Sequence, residues 1–181
     1  MLKLTFKPIE KYDELTNTFQ YVDGCVITLE HSLVSLSKWE SKWHKPFLTK
    51  EEKTLEEIID YIKCMTITKN VDEDVYSRLT DEHLQAVREY IENPMTATTF
   101  SNLQEGRKIN REIITSEIIY YWMTVFNIPF ECEKWHLNRL LTLINICNIK
   151  NSPPKKMGRK EIYQRNKALN MARRRALNTG G

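Results

Sequence analysis

The stretch Thr54-Leu55-Glu56-Glu57-Ile58-Ile59-Asp60-Tyr61-Ile62-Lys63-Cys64-Met65 decides how the chain is read. Leu55, Ile58, Ile59, Ile62 and Met65 follow the i, i+3, i+4, i+7 spacing that lays apolar side chains along one side of an α-helix. Thr54 stands where its hydroxyl can accept a free amide of the first turn, and Glu57, three residues on, can return the bond. Periodicity and cap agree, so the segment reads as a helix, and the same signals recur to either side of it.

Upstream, Leu29, Leu33, Leu36, Glu40 and Trp43 share one helical face, closed by Pro46. Ahead of that helix Leu2, Leu4 and Phe6 alternate with polar residues and stop at Pro8, which predicts a short strand. Phe19 to Val22, Asp23-Gly24 and Cys25 to Thr28 predict a hairpin, since Asp-Gly suits a tight turn. Downstream, a third helix is predicted from Thr80 to Asn93, ended by Pro94. Met95 to Gly106, rich in Thr and Ser, reads as a loop or irregular strand. A helix from about Asn110 to Asn127 carries Ile118-Ile119-Tyr120-Tyr121-Trp122-Met123, apolar all round, the mark of a buried or partner-covered helix. After Pro129 another runs from about Glu131 to Lys150, where Asn138, Thr142, Asn145 and Asn148 form a narrow polar stripe. These two helices are the expected centre of the core. The fold class expected is mainly α: a single helical domain with a small N-terminal β-hairpin or sheet and a basic C-terminal helical tail.

The charge is divided unevenly. Residues 150–181 hold ten Lys or Arg and one carboxylate, a net of +9, so the modest overall +3 of the 181-residue chain conceals a body of net −6. Ser152-Pro153-Pro154 separates the two, giving an acidic globular domain over 1–151 and a basic interaction tail over 152–181, partly disordered or helical. The tail has a helical candidate, Arg159 to Leu177, with Ile162, Leu169 and Ala176 seven apart. That stripe is too thin to hold a helix alone in water.

Few catalytic patterns are open to this composition. Five glycines, Gly24, Gly106, Gly158, Gly180 and Gly181, make neither GxGxxG nor GxxxxGK[ST], which excludes a Walker-type phosphate loop. Cys132 and His136 are spaced to face one metal from a single helical turn, but a structural zinc site needs four ligands. His136 reads instead as a core histidine beside Trp135. Glu51-Glu52-Lys53 contains half of a nuclease-like motif without its paired Asp, and the carboxylate runs at 56–57 and 72–74 read as solvated helix starts and loops. Trp122 and Trp135 read as core packing, whereas Trp39 and Trp43, four apart beside Lys38 and Lys42, mark a patch where one ring can meet a partner. Neither a secretory leader nor a membrane span is read. With Cys25, Cys64, Cys132 and Cys147 unpaired in sequence, a reduced cytoplasmic protein is expected.

Five strings, His31-Ser-Leu-Val-Ser-Leu-Ser-Lys-Trp39-Glu40-Ser-Lys-Trp43, Ile58-Ile-Asp-Tyr-Ile-Lys-Cys-Met65, Trp135-His-Leu-Asn-Arg-Leu-Leu-Thr-Leu-Ile144, Ser152-Pro-Pro-Lys-Lys-Met157 and Gln164-Arg-Asn-Lys-Ala-Leu-Asn-Met-Ala-Arg173, together resemble the tail assembly chaperones of long-tailed bacteriophages. The resemblance covers most of the chain from His31 onward. It implies a non-enzymatic protein of the host cell cytoplasm, without cofactor or metal, that binds the tape-measure protein, helps recruit tail-tube subunits and is missing from the finished virion. The partner-binding residues expected are Trp39 and Trp43 on the body with Lys155, Lys156, Arg173, Arg174 and Arg175 on the tail. The tail leaves other readings open: a nucleic-acid-binding or packaging-associated protein, a structural component of the neck or tail, or self-association of the basic tail with the acidic body of another copy.

Overall fold

In the computed structural model of the chain, residues 1–13, 17–98, 113–152 and 158–178 are described. The architecture is mainly α with strands confined to the N-terminus. Strands β1 (Leu2–Phe6), β2 (Ile9–Asp13), β3 (Thr18–Val22) and β4 (Cys25–Leu29) are followed by helices α1 (Leu33–Trp43), α2 (Leu55–Met65), α3 (Asp74–Ser77), α4 (Asp81–Glu92) and α5 (Ser116–Val125). A 3-10 turn (Phe130–Lys134) precedes α6 (Leu137–Asn151), and α7 spans Arg159–Leu177. The chain divides into two compact units, Met1–Asn148 and Ile149–Gly181.

Asp23-Gly24 does not form the expected two-residue hairpin. β1 pairs antiparallel with β4 and β2 with β3, and in both pairs the partner numbers sum to 31, as for Leu2 with Leu29 and Ile9 with Val22. The four strands thus make one long ribbon in a single register, interrupted where Lys7-Pro8 faces Asp23-Gly24. Pro8 has no amide hydrogen to give to a ladder. Its ring also crowds the partner strand: a Cβ on Gly24 would lie 2.8 Å from the Phe6 carbonyl oxygen and 3.1 Å from Pro8 Cδ. Gly24 is therefore fixed by close approach and not by turn geometry. The half-ribbon β1–β4 turns Leu4, Phe6, Ile27 and Leu29 into the core.

Two apolar clusters meet on α1. One gathers Leu4, Phe6, Ile27 and Leu29 with Trp39, Tyr61, Ile62, Met65, Val87 and Tyr90; the other gathers Leu33 and Leu36 with Ile119, Met123, Leu137, Leu140 and Ile144. The central element is thus α1, in place of the expected α5–α6 pair. Helix α5 buries Ile119 and Met123 and leaves Tyr121 and Val125 exposed. It begins at Ser116, later than the expected Asn110, although residues 99–112 lie outside the described set. The expected helix from Glu131 is shortened, because the chain takes a 3-10 turn to Lys134 and is extended at Trp135 before α6 begins. Leu29, expected on the first helical face, belongs to β4, and helix α3 and strand β2 fall where none was expected.

Helix ends in this body are closed both by local capping boxes and by side chains from other elements. Thr54 and Glu57 form the expected capping box on α2, with Thr54 N donating to Glu57 Oε2 at 2.8 Å. Helix α5 lacks such a cap: the Thr115 side chain accepts no amide of the first turn. Its first amide, Ser116 N, donates instead to Oε2 of the buried Glu40, on α1, at 2.7 Å, while Glu40 Oε1 accepts Phe47 N at 2.9 Å. A carboxylate is the favoured group at a helix N-terminus, where free amides and the helix dipole concentrate positive potential. At the other end of the bundle, the last carbonyls of α4 are bound from the start of α6: Asn138 Nδ2 donates to Ile91 O and Asn93 O, each at 2.8 Å, and His136 Nε2 donates to Tyr90 O at 3.0 Å.

Replacing Glu40 by Ala leaves two amides in the interior without an acceptor. Each such loss costs roughly 1–3 kcal/mol, so Glu40→Ala is expected to lower unfolding free energy in urea by about 2–5 kcal/mol. Glu40→Gln keeps one carbonyl acceptor and is expected to fall between Ala and the parent.

Candidate functional site

Trp39 and Trp43, one helical turn apart on α1, have opposite fates. Trp39 is 1% exposed, packs its ring against Phe47 and Tyr61, and donates Nε1–H to the Glu57 carbonyl oxygen at 2.9 Å. It is a core residue, and the expectation that it meets a partner is corrected: its polar atom and its ring faces are already in use. Trp43 is half-buried and lines an open groove of about 560 Å³ between α1 and α2, with Leu55 and Ile59 as its other apolar walls. Leu55 is 61% exposed although it heads the apolar stripe of α2, so the groove offers real apolar surface.

The groove is rimmed by paired charge. Asp60 is its anchor: Oδ2 accepts Trp43 Nε1–H at 2.9 Å and Oδ1 accepts the Lys42 ammonium. Burial pushes the Asp60 carboxyl up, but the Lys42 and Trp43 donors outweigh it and leave it below the usual carboxylate range. On the side of α2 that meets Trp39, Lys45 Nζ contacts Glu57 Oε1 at 2.6 Å and, with the Thr54 amide, holds that carboxyl low. Lys45 also lies 5.9 Å from the Trp43 ring centroid, within the range of a cation–π contact. These pairs surround the half-buried Trp43 ring, with Lys42 and Lys45 on its flanks. Such a site can accept an apolar side chain.

The second surface is α7. Every side chain described along it is exposed, Arg173, Arg174 and Arg175 among them. At 100° per residue Ile162, Leu169 and Ala176 fall on one narrow stripe, and Lys160, Lys167 and Arg174 on another about 120–160° away. Lys155 and Lys156 lie outside the described residues. The helix coincides with the segment expected from sequence, Arg159–Leu177.

Sequence reasoning missed a third surface. Beyond the Pro8–Gly24 interruption, β2 and β3 carry Tyr12, Phe19 and Tyr21, exposed by 47%, 72% and 66%. Tyr12 faces Phe19 and Glu10 faces Tyr21 across the ladder, so all four share one side of the ribbon. The alternation that would have revealed this was legible at Phe19 and Tyr21, but Pro8 masked the strand that continues it.

The metal reading of Cys132 and His136 does not describe their geometry. Cys132 is on the 3-10 turn, and both ring nitrogens of His136 are committed: Nε2 donates to Tyr90 O, and Nδ1 accepts Asn138 N at 3.3 Å. Among the described residues no three of His, Cys, Asp and Glu converge as metal ligands, and no helix is long and apolar enough to cross a membrane. His136 instead stacks edge-on against His31, ring centroids 5.1 Å apart, and His31 Nδ1 lies 2.6 Å from the Tyr61 hydroxyl. No family model, curated protein or solved structure matches this chain.

Two adjacent buried imidazoles make the body acid-sensitive. Burial, then the proximity of His136, pushes His31 down to about 3, and burial lowers His136 as well. Both folded values lie below the unfolded 6.5, so the unfolded chain binds protons that the folded one refuses. Stability is complete above that pH and falls as pH drops below it, approaching about 1.4 kcal/mol per pH unit for His31 until its folded value near 3, with His136 adding in the same direction. Urea titrations between pH 6.5 and 5 are expected to show this slope, and His31→Gln to reduce it by one proton while lowering stability at pH 7.

Proposed function

We propose that this protein is a non-enzymatic tail assembly chaperone of a long-tailed bacteriophage. It binds the tape-measure protein and keeps that protein's apolar helical faces from aggregating while the tail is built in the host cytoplasm. The observation that carries the reading is α7, 19 residues of helix whose described side chains are all exposed, basic around its circumference, with apolar residues every seventh position. A helix of that kind is matched by a long amphipathic partner helix with carboxylates beside its apolar seam. The resemblance of the strings from His31 to Arg173 to the phage chaperones supports the same partner.

Each surface has its own part in this reading. Ile162, Leu169 and Ala176 meet the apolar seam of the tape-measure helix. Arg173, Arg174 and Arg175 hold its carboxylates, for which the planar guanidinium is suited by its fork of donors. Lys155 and Lys156 add charge ahead of the helix. The Trp43 groove takes an apolar side chain of the same partner, and tail-tube protein joins the complex later.

Co-expression tests the proposal. The tape-measure protein is expected in the soluble fraction only when this chain is present, and to return to the pellet with the variant R173E/R174E/R175E; equal solubility without the chain overturns the reading. Salt separates it from nucleic-acid binding through the same tail. Affinity for duplex DNA would fall with a log–log slope of about −0.9 per phosphate neutralised, whereas the chaperone complex, held by its apolar seam, is expected to survive 500 mM salt. Mass spectrometry of purified virions is expected to find no copy of the chain; a stoichiometric copy would indicate a structural component.

A further inference from the structure

The β2–β3 half-ribbon has an aromatic side with no layer beneath it. Tyr12 and Phe19 touch each other, ring centroids 5.1 Å apart, and Tyr21 continues the same side, yet all three are largely exposed. A two-stranded ribbon is marginal in water by itself, and three aromatic rings on one side of it form the kind of patch that monomeric proteins do not usually leave open. The electrostatics of the patch restrict its occupant. In sequence, residues 9–23 carry Glu10, Asp13, Glu14 and Asp23 against a single cation, Lys11. That cation faces Gln20 on the opposite side of the ribbon, where Asp74 of α3 engages it at 3.0 Å, so the aromatic side carries Glu10 and no cation of these two strands. Nucleic acid and anionic lipid are repelled here. A cationic segment with apolar side chains is drawn in, because aromatic faces attract Lys and Arg and carboxylates pair with them.

The chain itself contains such a segment. Helix α7 holds seven Lys or Arg against Glu161, with Ile162 and Leu169 both exposed by about half. We propose that the aromatic side of the β2–β3 ribbon is the docking surface for α7 of a second copy of this chain. The contact is heterologous: ribbon of one molecule, tail helix of the next. Ile162 and Leu169 lie on the rings of Tyr12, Phe19 and Tyr21, and the flanking arginines meet Glu10. The contact covers both apolar surfaces at once and occupies α7 while no other partner is bound. It stands independently of the identity of that other partner.

Because the two halves of the contact are on different segments, complementation tests it in full-length protein. One variant, F19S/Y21S, loses the ribbon and keeps α7; another, I162S/L169S/R173Q/R174Q/R175Q, loses α7 and keeps the ribbon. In sedimentation velocity at 50 mM salt the parent is expected to associate with rising concentration and to dissociate at 500 mM, as screening shortens the reach of the charges. Each variant alone is expected to stay monomeric over a concentration range at least tenfold higher. An equimolar mixture is expected to form a one-to-one dimer and nothing larger, since only one productive contact remains. Association by the mixture also shows that both variants are folded. Monomeric parent at low salt, a mixture that stays monomeric, or a concentration-independent effect showing α7 on its own ribbon would each overturn the proposal.

Discussion

The body of this protein depends on one buried carboxylate. Glu40 sits inside the apolar face of α1, where an ionised group would be costly if alone, and is held by two amides from distant parts of the chain. One closes the loop after α1; the other is the first amide of α5. The same group therefore sets where α5 starts and how close it lies to α1, and with that the position of Ile119 and Met123 in the second apolar cluster. His136 and Asn138 do the corresponding work at the carbonyl end of α4, under the first cluster. Among the described residues that are not exposed, no side-chain polar atom out of solvent lacks a partner. A body so fully satisfied inside leaves binding to what is outside: the Trp43 groove, the aromatic ribbon and the basic helix.

These outer surfaces share a physical character. Each places apolar side chains among charges that are already paired or plainly single-signed. Trp43 and Leu55 stand among the Lys42–Asp60 and Lys45–Glu57 pairs, which cost little to bring against a partner because their internal bonds persist. The ribbon is acidic and α7 is basic, so the two ends of one chain cannot be selective for the same partner. That asymmetry lets the two surfaces select partners of opposite charge.

Much of the fold was legible because local signals agreed. The Thr54–Glu57 box, the Thr80–Asn93 boundaries of α4 and the limits of α7 follow from caps, periodicity and charge that act within a few residues. The misreadings came from pairings between distant residues. Asp23-Gly24 has the composition of a tight turn, yet its glycine answers to a proline sixteen positions earlier in the ladder. Leu29 fits the helical stripe of α1 but is taken by the strand that pairs with Leu2. At the site, Trp39 and Trp43 are indistinguishable in sequence; the contact of Trp39 with Glu57 on another helix separates them. The aromatic ribbon went unseen for the same reason, since Pro8 reads as a stop in one strand and only as a pause in two.

The Glu40–Ser116 bond also imposes an order on synthesis. Its partners are 76 residues apart, so α1 leaves the ribosome long before the amide that will justify burying its carboxylate. At about 5–20 residues per second that interval is roughly 4–15 seconds. Throughout it Glu40 Oε2 must remain hydrated, and the side of α1 bearing Leu33 and Leu36 stays open with it. The nascent chain can complete the strand-and-helix half built on Trp39 during that time, but the second half closes only when α5 arrives. Assembly of the body is thus staged by the position of a single acidic residue, and the basic helix is made only after α5 has arrived to seal the acidic body.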